Sequence, residues 1–92
     1  MLTIKPTSRF KKELRKAVKR GLDENKLKSI IRLLADQKTL PPENKDHELK
    51  GNFDGYRECH VQSDWLLIYK ILNDELVLSL ERTGTHSDLF RK

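Results

Sequence analysis

The spacing of apolar residues changes once along this chain, and the change limits what it can fold into. Phe10, Leu14, Ala17 and Val18 recur at helical spacing, and Leu27, Ile30, Ile31 and Leu34 do so again. Thr7 or Ser8 suits the first N-cap, Gly21 ends that helix, and Asp23 starts the second. After Gly55 the period is two. Tyr56–Val61 puts Tyr56, Glu58 and His60 on one face and Arg57, Cys59 and Val61 on the other. Trp65–Leu72 is apolar on both faces except at Lys70, as a central strand would be. Asn73-Asp74 reads as a hairpin turn. Leu76, Leu78 and Leu80 then alternate with Val77, Ser79 and Glu81. A short strand, Leu2–Lys5, ends at Pro6, and Thr85–Phe90 has room for one helical turn. The order β-α-α-β-β-β predicts an α+β domain. Its sheet is small, twisted and mostly antiparallel, and an N-terminal two-helix hairpin packs on one face.

Between the two patterns, residues 37–55 (QKTLPPENKDHELKGNFDG) show no period and carry Pro41-Pro42. They read as a loop, and loops this long in small domains are usually functional. His47 lies inside it.

With 92 residues, the chain holds one domain spanning 1–92. Charged and hydrophobic residues each make up 36%, which implies a thin core under a charged surface. The net charge of +5 is unevenly placed. Residues 1–38 hold 12 Lys/Arg against 4 Asp/Glu, and residues 39–92 hold 7 against 10. A basic N-terminal half favours a polyanionic partner, nucleic acid or an acidic protein, against the plainer reading of a solvated helix surface. The lone Cys59 excludes a disulfide framework and a cysteine-based zinc finger. No apolar run nears the roughly 20 residues of a membrane span, and the N-terminus lacks an apolar signal core, so a cytoplasmic setting is expected.

All three histidines, His47, His60 and His86, fall in the second half, beside turns or on a polar strand face. Histidine is the usual general acid or base near neutral pH. Asp64 suits holding a histidine in one tautomer, serving as a base, or capping a turn. Trp65 suits stacking on a base or packing at a strand edge. Arg82 shares parity with Leu76, Leu78 and Leu80, so it points toward the apolar side and needs an anion or a carboxylate such as Glu58 or Asp64. No two of the histidines lie at the short spacings that preform metal sites, so no metal or cofactor is expected.

Three strings carry a resemblance: KDHELKG at 45–51, YRECHVQSDWLLIYK at 56–70 and ERTGTHSDLF at 81–90. In this order and chain length they resemble the YafQ branch of the RelE-type bacterial toxins. The resemblance implies a type II toxin–antitoxin system. Its toxin would cut messenger RNA in the aminoacyl site of translating ribosomes, restrained by an acidic antitoxin with a ribbon-helix-helix start. It also implies a sheet with helices on one face and the active site on the other. The family's site residues match His47, then His60, Asp64 and Trp65, then Arg82, His86 and Phe90. The implied reaction is attack by the RNA 2′-hydroxyl. His47, His60, His86 and Asp64 are candidates for the two proton transfers, and Arg82 for stabilising the phosphorane. Trp65 or Phe90 would stack on a base, and no metal is required. Lys11, Lys12, Lys16 and Lys19, on the first basic helix, would dock onto ribosomal-RNA phosphates. Two other functions fit the fold or the charge. A gyrase-poisoning toxin of the same fold does not use this histidine set, and a plain basic RNA-binding module does not need it.

Overall fold

The computed structural model describes residues 1–90. Thr7 caps α1 (Ser8–Lys19) by accepting the Phe10 amide at 3.0 Å, and Asp23 caps α2 (Glu24–Ala35) by accepting the Asn25 amide at 3.0 Å. Between the helices Gly21 takes φ +104°, a left-handed conformation that side chains resist. The hairpin packs on a five-stranded sheet. Its strands are β1 (Thr3–Pro6), β2 (His47–Glu48), β3 (Arg57–Gln62), β4 (Trp65–Leu72) and β5 (Val77–Gly84), in spatial order β1-β5-β4-β3-β2. Only β1–β5 is parallel, and the other pairs are antiparallel. A short helix, α3 (His86–Leu89), follows β5. The α+β architecture and the central place of β4 agree with the sequence reading.

One face of the sheet meets the hairpin. Phe10 and Ala17 of α1 and Leu27, Ile30, Leu34 and Ala35 of α2 bury against Cys59, Val61, Leu67, Tyr69, Leu78 and Leu80. Each large side chain removed from water there contributes about 1.5–3 kcal/mol. Val18 does not join them; it is 41% exposed. The opposite face carries a smaller apolar cluster, Leu66, Ile68 and Leu89.

Four local features depart from the sequence reading. The 37–55 segment holds β2 and two short 3-10 turns, Pro42–Asn44 and Gly51–Phe53. It is held by backbone pairing to β3 and by the Asp46 carboxylate, which accepts from the Tyr69 hydroxyl at 2.5 Å and from Arg57 Nε at 3.3 Å. Neither interaction needs an apolar period. The second departure is Leu76, which closes the turn Asn73–Glu75 at φ +54° and is 62% exposed, so β5 begins one residue later. Third, a bulge pairs Tyr69 with Leu80 but Ile68 with Arg82, leaving Glu81 as the extra residue. The parity that tied Arg82 to the leucines therefore fails. Last, Arg82 pairs with Glu13 of α1, rather than with Glu58 or Asp64, Nη2 lying 2.6 Å and Nε 3.1 Å from Oε2.

Candidate active site

Alternation along β3 turns Glu58 and His60 to the sheet face away from the hairpin, opposite Ile68 and Leu66 of β4. The chain leaves β5 at Gly84 and folds α3 back over that face, burying Leu89 against Leu66 and Ile68. A capping box between Thr85 and Asp88 fixes the start of this single turn. His86 is thereby brought beside His60, with ring centroids 5.7 Å apart and planes at 63°. One donor atom from each of Glu58, His60 and His86 lies within 4.8 Å of the others. The sequence spacing gave no sign of this grouping, because strand pairing and the return of α3 create it.

Hydrogen bonds fix two of the imidazoles. His86 Nδ1 bonds Asp64 Oδ1, which also accepts the His86 amide at 3.3 Å. The ring bond, helped by the amide, holds the Asp64 carboxyl below its ordinary value. An ionised carboxylate only accepts, so Nδ1 carries the proton and Nε2 is left for other work. His47 Nδ1 lies 2.7 Å from the Lys45 carbonyl, another pure acceptor, and Nε2 then faces Glu58 Oε1 at 3.4 Å. Glu58 is 4% exposed. The sequence reading placed it on a polar face without assigning it a role. Its shared face with His60 was the available signal, and its direct register with His47 was not visible before β2 was known. A buried carboxylate beside three imidazoles can orient their rings.

The remaining candidates divide. Phe90 lies beside the histidines, its ring centroid 6.3 Å from that of His86. Trp65 packs against the main core, donates from Nε1 to Thr83 Oγ1 at 3.2 Å, and carries the Arg20 guanidinium 5.1 Å over its ring. Trp65, Arg82 and Lys16 line a second cleft of about 230 Å³, against Thr83, Gly84 and Asp88. Lys11, Lys12, Lys16 and Lys19 are exposed along α1. Cys59 is fully buried, and that burial, reinforced by the Asp46 and Glu58 carboxylates, pushes its thiol up to about 12, which makes it inert as a nucleophile.

A helix hairpin on one sheet face and a histidine–carboxylate cluster on the other define a small α+β domain with a candidate acid–base site. A family described as the bacterial toxin of type II toxin-antitoxin system, YafQ, matches residues 2–91, and the chain belongs to that family. The mRNA interferase toxin YafQ of Escherichia coli strain K12 is 48% identical over 88 residues, which cover 95% of this chain and 94% of that protein. A crystal structure of a metal-bound toxin from Helicobacter pylori superposes with a TM-score of 0.92 at 44% identity, covering 98% of this chain and 100% of that one. In the crystal structure of the E. coli DinJ-YafQ complex, the matching chain gives a TM-score of 0.85 at 45% identity, with 98% and 99% coverage.

Proposed function

We propose that this chain is a messenger-RNA endonuclease that acts in the aminoacyl site of the ribosome and is held inactive by a cognate antitoxin. The observation that carries the reading is the His60–His86 pair, with Asp64 fixing the His86 tautomer. One group takes the proton of the RNA 2′-hydroxyl as its oxygen bonds phosphorus. The other protonates the departing 5′-oxygen as the P–O5′ bond breaks. The products are a 2′,3′-cyclic phosphate and a 5′-hydroxyl, and the nucleophile is internal to the RNA. Asp64, kept ionised by His86, works through that ring and not as a base itself. His47 and Glu58 meet at 3.4 Å and form the floor of the site.

Arg82 is the cation assigned to the phosphorane. Glu13 grips its Nε and Nη2 and leaves Nη1 outside the pair, so the guanidinium is oriented but not spent. Phe90 stacks on a splayed base beside His86. The exposed α1 lysines dock on ribosomal RNA or meet an acidic antitoxin; the similar E. coli YafQ is seen in a complex with DinJ.

Glu58, His60 and His86 also favour a second reading, a cation site; a similar toxin from Helicobacter pylori is metal-bound in its crystal structure. A carboxylate with two imidazoles suits zinc or copper. Such a cation would take the imidazole lone pairs that proton transfer needs, so it would inhibit.

One experiment tests both readings. Programmed ribosomes carrying an ordinary or a singly 2′-deoxy messenger are incubated with toxin, a zinc chelator or added zinc, at constant magnesium. The ordinary messenger should be cut with the chelator present, the deoxy position should resist, and zinc should slow cutting. Cleavage that stops on chelation and returns with zinc would overturn the metal-free mechanism.

A further inference from the structure

The aromatic rings of the site continue past Phe90. Phe53, on the turn Gly51–Phe53, meets Phe90 edge to face, with centroids 5.3 Å apart at 77°. Tyr56 meets Phe53 in the same way at 6.4 Å and 73°. Lys70 closes the row, its Nζ standing 5.1 Å over the Tyr56 ring. With His60 and His86, five rings run from the proposed catalytic pair across the open sheet face to a cation. Phe53, Tyr56 and Phe90 are each half-buried, so part of each ring reaches solvent. Tyr56 and Phe90 rest on the buried Leu66, Ile68 and Leu89, which holds the row in place.

The chemistry of the row points to one occupant. Every nucleobase has a face that stacks on an aromatic ring, and partly exposed rings on a sheet are how proteins hold unpaired RNA bases. The row begins at the scissile position and ends at a cation suited to a phosphate of the same strand. An aliphatic cover over Leu66 and Ile68 would serve packing equally well, and it would supply neither property. Resting on the endonuclease reading above, we propose that Phe53 and Tyr56 extend Phe90 into a stacking platform for the unpaired messenger nucleotides next to the cut. Lys70 faces their backbone.

The test uses full-length toxin and ribosomes programmed with two messengers. One is ordinary, and the other has an abasic nucleotide at a position flanking the cut, each flanking position being tried in turn. The variants are Phe53→Leu, Tyr56→Leu and Tyr56→Phe, each checked for cooperative thermal unfolding. Base–ring stacking implies that either leucine variant raises the half-saturating concentration of ordinary messenger complexes roughly 5- to 150-fold. The maximal rate should change little, and Tyr56→Phe should match the wild type. On one of the abasic messengers the wild type should show the same loss, with no further loss from the leucine variants. Wild-type KM in the leucine variants, or losses that add in full to the abasic effect at every position, would overturn the platform and leave the rings as cover for Leu66 and Ile68. Loss of antitoxin affinity with unchanged cleavage would overturn it in favour of a protein-docking surface. If the wild type cuts nothing, the endonuclease reading fails by itself. Binding of a fluorescent single-stranded oligoribonucleotide to free toxin then decides the platform, according to whether it depends on the rings.

Discussion

The two faces of the sheet are built from the same strands but to opposite rules. Toward the hairpin, β3, β4 and β5 present Cys59, Val61, Leu67, Tyr69, Leu78 and Leu80, all buried under helix leucines, isoleucine and phenylalanine. Away from it, the alternate positions of β3 present Glu58 and His60, and only α3 and a few rings cover Leu66 and Ile68. Stability is concentrated on the first face and titratable chemistry on the second. Because successive side chains along Arg57–Val61 and along β4 point to opposite faces, one strand serves both, and neighbouring substitutions there should have unrelated effects.

The largest effect expected lies on the open face. His86→Ala or His60→Ala should lower the cleavage rate by roughly 10²–10⁴-fold and abolish growth arrest on expression without antitoxin, while leaving the unfolding midpoint nearly unchanged. Killing at wild-type levels by both variants would break the division between the faces. On the covered face the result should reverse. Leu27→Ala, at a site 1% exposed, should cost about 2–5 kcal/mol by denaturant unfolding. Whatever fraction stays folded should cut messenger at the wild-type rate per folded molecule, because Leu27 lies on the far side of the sheet from the histidines.

Legibility in the sequence followed the same division. The covered face was readable because burial imposes a period: 3.6 in α1 and α2, two in β3 and β5, and a continuous run in β4. What escaped was set by the backbone or by distant partners. β2 is two residues joined to β3 by backbone pairing and by polar contacts of His47 with Glu58 and of Glu48 with Arg57. The bulge at Glu81 changes the parity of one strand without any marker residue. Glu13 reaches Arg82 across 69 positions. On the open face, His60, Asp64, His86 and Phe90 were legible as a family pattern, and the structure brings them together. Glu58 was not, since a carboxylate on a strand's polar face normally faces water. Here α3 and β2 cover it, and both lie where the sequence shows no strong period.

A smaller effect concerns the charge on the back of the hairpin. Neutralising Lys11, Lys12, Lys16 and Lys19 together should weaken ribosome association and flatten its salt dependence by roughly 0.7–0.9 units per lost phosphate contact. The rate at saturating messenger complexes should hold, since none of these side chains touches the histidine cluster. Arg82→Ala should do the opposite, lowering the saturated rate with little change in affinity. Equal ribosome binding by the four-lysine variant at every salt concentration would make α1 a solvated surface.

The smallest effect is local and depends on pH. Two carboxylates tether α3 to the rest of the fold. Asp64 accepts from the ring and amide of His86, and Asp88 accepts from the Thr85 amide at 3.1 Å and from Arg20 Nη1 at 3.0 Å. Both carboxyls are held below their ordinary value, Asp64 chiefly by the His86 ring and Asp88 chiefly by the Thr85 amide. A carboxyl more acidic in the folded chain than in the unfolded one contributes fully above the unfolded pKa, about 3.9 for Asp, and loses that contribution as pH falls through the folded value. Both tethers last as long as these carboxyls are ionised, so acid should not release α3 until the carboxylates themselves protonate. Amide signals of residues 86–89 should therefore stay protected from pH 8 to about 5 and shift only below about 4, before the strand signals of β4 do. Asp64→Asn with Asp88→Asn should produce the same loosening at neutral pH. If α3 already frees itself between pH 8 and 5 in the unmodified chain, the tethers are not these carboxylates, and the pH dependence of cleavage would then reflect docking of α3 as well as proton transfer.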